Sequence, residues 1–176
     1  MKPSSRLVHP TPAAGRAVQT VNPVIQKGST VLLPDAAALY DDDAYVTYGR
    51  NGLAVHEALK AALCDLEHAR GVELYPSGVA AIAGALLAVL RAGDELLVVD
   101  TAYKPTRRFC DRTLARFGVA TRYYDPGLDA AALGEMIRPE TRAIFLESPG
   151  SLSFEMQDVA AVAAEARRRA SAATAA

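Results

Sequence analysis

The sequence predicts an α/β fold with a mostly parallel sheet and helices on both faces. Short apolar strand patterns alternate with helix patterns from Leu53 onward, which is typical of parallel strands joined by helical crossovers. Glu95 to Val99 is a nearly continuous apolar run, as expected for a strand that is covered on both faces. Ligands of such sheets bind beyond the carboxyl ends of the strands, so the loops there are the first candidates for a site.

The predicted elements follow one another in a regular order along the chain. The first is a helix that begins near Leu53 and carries Val55, Leu59, Leu63 and Leu66 on one face. A second helix, at residues 79–90, is apolar all round and is therefore predicted to be buried. The other predicted elements are strands at 72–75, 95–99, 119–124 and 143–146, and helices that end at Gly118, span 129–137 and begin near Asp158.

Composition divides the chain into three segments. Residues 1–50 carry scattered Pro, Gly and polar residues without a sustained period. We expect an extended arm that lies on a neighbouring subunit, because the apolar residues within it argue against a disordered tail. Residues 51–166 carry the helix and strand patterns, and residues 167–176 have no apolar face, so we expect an aberrant or truncated tail. The sheet would then stop at the strand near Ala143 with an unpaired edge, as in a chain cut short inside a larger domain.

Charge and composition argue against several classes of protein. A net charge of −1 gives no electrostatic footprint for nucleic acid. No apolar run is long enough to cross a bilayer, and the first residues lack the apolar stretch of a secretory signal. Two cysteines do not form a disulfide framework, so we expect a reducing cytoplasm. Cys64 and His68 have metal-ligand spacing, but without a second ligand pair we interpret them as a solvated helix face and predict no metal site.

The turn at Ser77-Gly78 is the most informative local pattern. A strand pattern ends at Tyr75, and an apolar helix pattern starts at Val79. Such a turn points unpaired backbone N–H groups and the positive end of the helix dipole at a ligand, which favours a phosphate. Gly78 also permits close approach to the backbone. The alternative is a plain connection, since short turns of this kind join strands to helices throughout α/β folds.

Three more residues are candidates for ligand contacts. Tyr103 follows a strand in a loop, where its ring either stacks on a flat ligand or packs on its own loop. Tyr48 and Arg50 lie two apart, so in an extended segment their side chains point the same way and suit a phosphate. Three arginines of the helix after Tyr103 are interpreted as its solvated side: Arg107, Arg108 and Arg112.

Six short motifs, taken in order, resemble one enzyme family. The family is the pyridoxal-phosphate-dependent enzymes of cysteine and methionine metabolism, the trans-sulfuration group, and the similarity runs from Leu7 to about Arg167. Within it the chain is most similar to the cystathionine β-lyases, because of its loops at 100–105 and 145–152. The resemblance implies the N-terminal part of the large domain of the aspartate aminotransferase type I fold. The motifs are Tyr48-Gly49-Arg50-Asn51-Gly52, Leu66-Glu67, Ser77-Gly78-Val79-Ala80-Ala81-Ile82, Gly93-Asp94, Thr101-Ala102-Tyr103 and Glu147-Ser148-Pro149-Gly150-Ser151.

The resemblance implies roles for five residues. The backbone N–H groups of Gly78 and Val79 would hold the phosphate of pyridoxal 5'-phosphate. Tyr103 would stack on the pyridine ring of the cofactor and help to handle the proton of the substrate amine. Tyr48 and Arg50 would reach the phosphate of the adjacent subunit in a homodimer, or in a tetramer built from such dimers. Charge-assisted contacts of this kind contribute about 1.5–3 kcal/mol each.

The activity that the resemblance implies is β-elimination from the amino acid L-cystathionine, with homocysteine, pyruvate and ammonia as products. This chemistry needs a lysine that forms a Schiff base with the cofactor. Lys104 is not expected to serve, because its neighbour Tyr103 already takes the ring face, and geometry comes before chemistry. We therefore expect no lyase activity from the 176-residue chain alone. None of the lysines of the chain stands in the family's context: Lys2, Lys27, Lys60 and Lys104.

Two other functions stay open on the sequence alone. In the first, the chain is a non-catalytic fragment that binds or regulates a full-length homologue by donating Tyr48 and Arg50. In the second, it is an α/β domain that binds a nucleotide. The absence of a G-x-G-x-x-G fingerprint and of a phosphate-loop lysine motif argues against the nucleotide.

Overall fold

The computed structural model of the chain describes residues 24–41 and 46–174, with side chains up to residue 171. Much of the predicted arm, at residues 1–23 and 42–45, lies outside the described residues. The chain divides between Leu74 and Tyr75 into two compact units. Each unit is considered by itself.

The first unit contains helix α1, Ala54–Glu67, and a one-turn 3-10 helix, Ala37–Tyr40. The helix predicted to begin near Leu53 is confirmed. Its first turn is fixed by the N–H of Leu53, which donates to Nδ1 of His56 at 3.0 Å. It ends at His68, which takes a left-handed backbone conformation with φ of 50°.

Residues 72–75 do not form the predicted strand. They have no regular secondary structure, and no described segment pairs with them. Their apolar–polar alternation fits an extended chain, but a strand also needs a neighbour that bonds its N–H and C=O groups. In the described part of the first unit, the pairing that occurs is an isolated antiparallel bridge between Thr30 and Tyr48.

A three-stranded parallel sheet forms the centre of the second unit. The central strand β1, Glu95–Val99, pairs with β2, Ala120–Tyr124, and with β3, Thr141–Phe145. The strand order is therefore β2-β1-β3. All five residues of β1 are buried. Both the predicted parallel sheet and the predicted burial of its central strand are confirmed.

Four helices accompany this sheet, and each matches a predicted helix. The helix that follows β1 is irregular, since Lys104–Phe109 continues into a π-helical turn, Cys110–Leu114, and a 3-10 turn, Ala115–Phe117. Gly118 ends it with φ of 77°, a conformation in which glycine carries no steric cost. The helices are α2, Gly78–Val89; α3, Lys104–Phe109; α4, Ala130–Glu135; and α5, Val159–Thr174.

Helix α2 is less buried than its composition predicts. Leu86 is its one buried residue, and together with Ile82 and Leu90 it packs against the core of the unit. On the other side, Leu87 and Val89 are about half exposed. An all-apolar helix is fully covered only when it has neighbours on several sides, and the described part of this unit covers α2 on one side.

The outer edge of β3 is open in the described chain. β3 has a strand neighbour on one side, and a cavity of about 540 Å³ lies along residues of β3 and α5 such as Ile144 and Val162. Residues 167–174, which were expected to be a tail, continue helix α5. Within that helix Arg168 contacts the Glu165 carboxylate at 2.5 Å.

Candidate functional site

The amino end of α2 presents two backbone donors. Ser77 caps the helix, because its Oγ accepts from the N–H of Ala80 at 3.1 Å. The N–H groups of Gly78 and Val79 precede the first internal helix bond and have no acceptor among the described residues. Apart from its chain neighbours and the backbone of α2 itself, no atom of the described residues lies within 4 Å of the point where a Cβ of Gly78 would stand. Two free donors beside open space at a helix amino end fit a phosphate group.

The amino ends of α2 and α3 lie beside one another. Val79 and Pro105 line one open cavity of about 360 Å³, together with side chains of α3 and its continuation. Pro105 is two residues after Tyr103, the residue that precedes α3. The second unit therefore brings the Gly78–Val79 donors and the Tyr103 loop to the same region.

Tyr103 has a fixed backbone and an open side chain. Its N–H donates to Oε2 of Glu147 at 3.0 Å, and its C=O accepts from the N–H of Thr106 at 2.8 Å. Its side chain is 49% exposed. The phenol ring therefore extends from a fixed backbone position, and about half of the residue is exposed to solvent.

Arg107 holds the start of the same loop. Its guanidinium donates to the C=O and to Oδ1 of Asp100, the latter at 2.5 Å, and lies 4.0 Å from the ring centroid of Tyr123. The hydrogen bond with the Asp100 carboxylate raises the pKa of Arg107. Arg107 is partly exposed, and Arg108 and Arg112 are exposed, which agrees with the interpretation of this side of the helix as solvated. The contacts of Arg107 with Asp100 and Tyr123 were not predicted. Asp100 and Tyr123 lie 7 and 16 residues from Arg107 in the sequence, and the spacing of the arginines along the helix does not indicate these partners.

The other side of the loop is held by residues that follow β3. The C=O of Thr101 accepts from the N–H of Ser151 at 2.8 Å. A Cβ at Gly150 would lie 2.5 Å from Oγ1 of Thr101, so these two segments are in close contact. The loop after β1 and the loop after β3 therefore form one packed rim.

Gln157 links this rim to the end of β2. Its Nε2 donates to the C=O of Glu147 at 3.0 Å, and its Oε1 accepts from the hydroxyl of Tyr124 at 2.9 Å. Burial raises the pKa of Tyr124 to about 12, so the hydroxyl keeps its proton and remains a donor. Neither Gln157 nor a role for Glu147 beyond its motif was predicted. The signal available was their position after a strand, which does not identify a partner.

Tyr48 and Arg50 lie in the first unit. Tyr48 forms the bridge with Thr30, and the N–H of Gly49 donates to the C=O of Ser29 at 2.7 Å. The Arg50 guanidinium carbon lies 4.9 Å from the centroid of the Tyr48 ring. Both side chains are exposed. The structure thus brings this pair together, while Gly78, Val79 and Tyr103 belong to the second unit.

The described residues contain neither a cluster of metal-ligating side chains nor a membrane-spanning helix. Within residues 24–41 and 46–174, no group of three or more His, Cys, Asp and Glu side chains is placed to hold a metal ion. In the same ranges, no helix combines the length and the apolar character needed to span a membrane.

Comparisons with known proteins identify a family. The family model for Cys/Met metabolism PLP-dependent enzymes matches residues 4–175. The cystathionine beta-lyase of Escherichia coli is 38% identical over 84% of this chain, and that of Salmonella typhimurium is 37% identical over 85%. The chain spans 38% and 39% of the length of these two relatives.

A solved structure shows the same fold. Cystathionine gamma-lyase from Lactobacillus plantarum, complexed with L-serine, superposes with a TM-score of 0.72 and 30% sequence identity. The match covers 81% of this chain and 35% of the gamma-lyase. The predicted family and its α/β fold are both confirmed. The chain belongs to the pyridoxal-phosphate-dependent enzymes of cysteine and methionine metabolism.

Proposed function

We propose that the protein acts in a pyridoxal-phosphate-dependent carbon–sulfur lyase of the cystathionine β-lyase type. The observation that carries the proposal is the pair of unbonded N–H groups at Gly78 and Val79, beside open space and next to the Tyr103 loop. The similarity to two cystathionine beta-lyases supports the β position. A cystathionine gamma-lyase shares the fold, so the choice of the sulfur bond is part of the proposal.

Each site residue has a role that its surroundings support. The Gly78 and Val79 N–H groups would hold the cofactor phosphate, with the positive end of α2 adding to the attraction. Tyr103 would lie on the cofactor ring, since half of its side chain is free while its backbone is fixed. Its hydroxyl would hold or move a proton of the substrate amine. When bound, the cofactor draws electrons from the substrate's reacting carbon.

Tyr48 and Arg50 would act on a neighbouring subunit. The Arg50 guanidinium lies beside the Tyr48 ring and is exposed, and its planar set of N–H donors suits phosphate oxygens. Both side chains are exposed on the first unit, so they are accessible to a second chain. We therefore propose a homo-oligomer of at least two subunits, in which each cofactor phosphate contacts residues of both.

Binding of the phosphate can be tested at a single donor. Gly78 is the first residue of α2, a position where proline is well tolerated, and Ser77 before it is extended, as proline requires. Gly78→Pro therefore removes one N–H with little change to the helix, and Gly78→Ala keeps that N–H as the matched control. We expect Gly78→Pro to weaken binding of pyridoxal 5'-phosphate by about tenfold relative to Gly78→Ala, as for one charge-assisted bond.

Two measurements separate the parts of the proposal. Equal binding of the cofactor by Gly78→Pro and Gly78→Ala would show that this donor does not hold the phosphate. For the reaction, L-cystathionine is supplied to the gene product isolated from its source cells, because the 176 residues by themselves are not expected to react. Homocysteine with pyruvate is expected, whereas cysteine with 2-oxobutyrate would contradict the β-lyase assignment.

A further inference from the structure

We propose that Glu147 is the positioning residue for Tyr103, and that Gln157 and Tyr124 hold Glu147 in place. The inference rests on the proposed role of Tyr103 beside the cofactor ring. It assigns a function to three residues of the second unit: Tyr124 ends β2, and Glu147 and Gln157 both follow β3. None of the three needs to touch the cofactor for this role.

The ring of Tyr103 depends on its backbone for its position. The side chain is 49% exposed, and among the described residues its hydroxyl has no hydrogen-bond partner. The C=O of Tyr103 is fixed within α3 by the N–H of Thr106. The other polar group of the Tyr103 backbone is its N–H, which donates to the Glu147 carboxylate at 3.0 Å. The bond to Glu147 therefore completes the anchoring of the point from which the ring extends.

Glu147 is held in place by Gln157, which is in turn bonded to Tyr124 at the end of β2. Its C=O accepts from Nε2 of Gln157 at 3.0 Å, and the N–H of Gln157 donates to Oγ of Ser148 at 2.9 Å. Oε1 of Gln157 accepts from the hydroxyl of Tyr124, which is 3% exposed. Each polar group of the Gln157 side chain thus has one partner, and this fixes the orientation of its amide.

The result is one continuous chain of bonds across the sheet. It begins at Tyr124 at the end of β2, passes through Gln157 and Glu147 after β3, and ends at the Tyr103 N–H after β1. The first member is buried and cannot move far, so the restraint is transmitted to an exposed ring 21 residues earlier in the chain. Bonds to a carboxylate are stronger than those between neutral groups, which makes Glu147 the sensitive member.

Substituting residue 147 tests the inference through a readout that does not involve the cofactor. In the wild-type chain we expect the Tyr103 amide proton to show the downfield NMR shift of a carboxylate-bonded group, and the Tyr103 side chain to populate one χ1 rotamer. Glu147→Ala is expected to remove the shift and to average the χ1 couplings. Glu147→Gln keeps an acceptor oxygen and is expected to restore the single rotamer. Glu155→Ala is the control, because Glu155 is an exposed carboxylate of the same loop without a bond to Tyr103.

Ligand titration supplies the second readout. Glu147→Ala is expected to weaken binding of pyridoxal 5'-phosphate by about tenfold, the size expected for one charge-assisted bond, and to leave inorganic phosphate binding within about twofold. A mainly structural role would lower the affinity for both ligands together. An unchanged Tyr103 shift and rotamer in Glu147→Ala would overturn the inference. If the wild-type chain failed to bind pyridoxal 5'-phosphate, the proposed function would be in question, and the NMR readout would still decide the role of Glu147.

Discussion

The guanidinium of Arg107 lies over the ring of Tyr123, with 4.0 Å between its central carbon and the ring centroid. The same guanidinium bonds both the backbone and the carboxylate of Asp100. The Arg107 side chain thereby joins β2 to Asp100, the residue that follows β1 and begins the loop that carries Tyr103. The hydroxyl of Tyr123 donates to Oδ1 of Asp111 at 2.7 Å, and this bond also fixes the position of the ring.

We expect Arg107→Ala to destabilise the second unit by about 1–2 kcal/mol, since it removes a cation–π contact and hydrogen bonds that are partly exposed. The measurement is urea unfolding followed by circular dichroism. Arg108→Ala is the matched control, because Arg108 is an exposed neighbour without an ion pair among the described residues. Equal unfolding midpoints for the two variants would contradict the anchoring role of Arg107.

Glu95 makes stability depend on acid pH. Its side chain is 8% exposed and accepts from Arg122 at 2.7 and 3.0 Å, and these hydrogen bonds hold its pKa below the ordinary 4.5. A folded pKa below the unfolded one means that the contribution is present above about pH 4.5 and is lost as the pH falls through the folded value. The free energy of unfolding should therefore fall steeply below pH 4.5.

Glu95→Gln tests this pH dependence. The variant should be less stable than the wild type at pH 7, because Arg122 loses its charged partner, and its unfolding free energy should change less between pH 5 and pH 3. Glu140→Gln is the control, since Glu140 is exposed in the turn before β3. Parallel pH profiles for wild type and Glu95→Gln would show that another group controls acid unfolding.

The contact between Gly150 and Thr101 predicts intolerance of a side chain at residue 150. A Cβ there would lie 2.5 Å from Oγ1 and 2.8 Å from Cβ of Thr101, so one of the two loops must move. We expect Gly150→Ala to cost about 1–3 kcal/mol of stability, as overpacking does, and to disturb the Tyr103 loop. Gly71→Ala is the control, because open space surrounds that position. Thermal unfolding of both variants checks the difference.

The two cysteines should differ in reactivity. Cys110 is fully buried, and burial raises the pKa of its thiol to about 11. Cys64 is partly exposed. Because the thiolate is the reactive form, a thiol reagent at pH 8 should modify Cys64 quickly and Cys110 only after unfolding. Cys64→Ser should remove the fast phase, and a fast phase that survives this substitution would contradict the burial of Cys110.

The sequence was most informative where one segment decides its own structure. The bounds of β1 follow from its apolar run, the start of α2 to within one residue from the apolar pattern that begins at Val79, and the end of the α3 segment from Gly118. The strand expected at 72–75 is absent, because pairing depends on a second segment that the alternation of one segment does not reveal. The burial of α2 was overestimated for the same reason.

Candidate site residues could be named from the sequence where a motif contains them, whereas residues that are placed by a distant contact could not. Gly78, Val79 and Tyr103 lie in loops or turns that the resemblance identifies. The bond from Tyr103 to Glu147 joins residues 44 apart, and the bond from Tyr124 to Gln157 joins residues 33 apart. No local period encodes such contacts, so they become visible only when the sheet has brought the loops together.

The central position of β1 in the sheet also has a consequence for the synthesis of the protein on the ribosome. The side-chain partners of Glu95, Arg122 and Thr141, follow it by 27 and 46 residues. β1 is the most apolar strand of the sheet, yet it leaves the exit tunnel before either of its neighbours does. During that interval its backbone has no strand to pair with, and transient cover by a chaperone would protect it from association with other nascent chains.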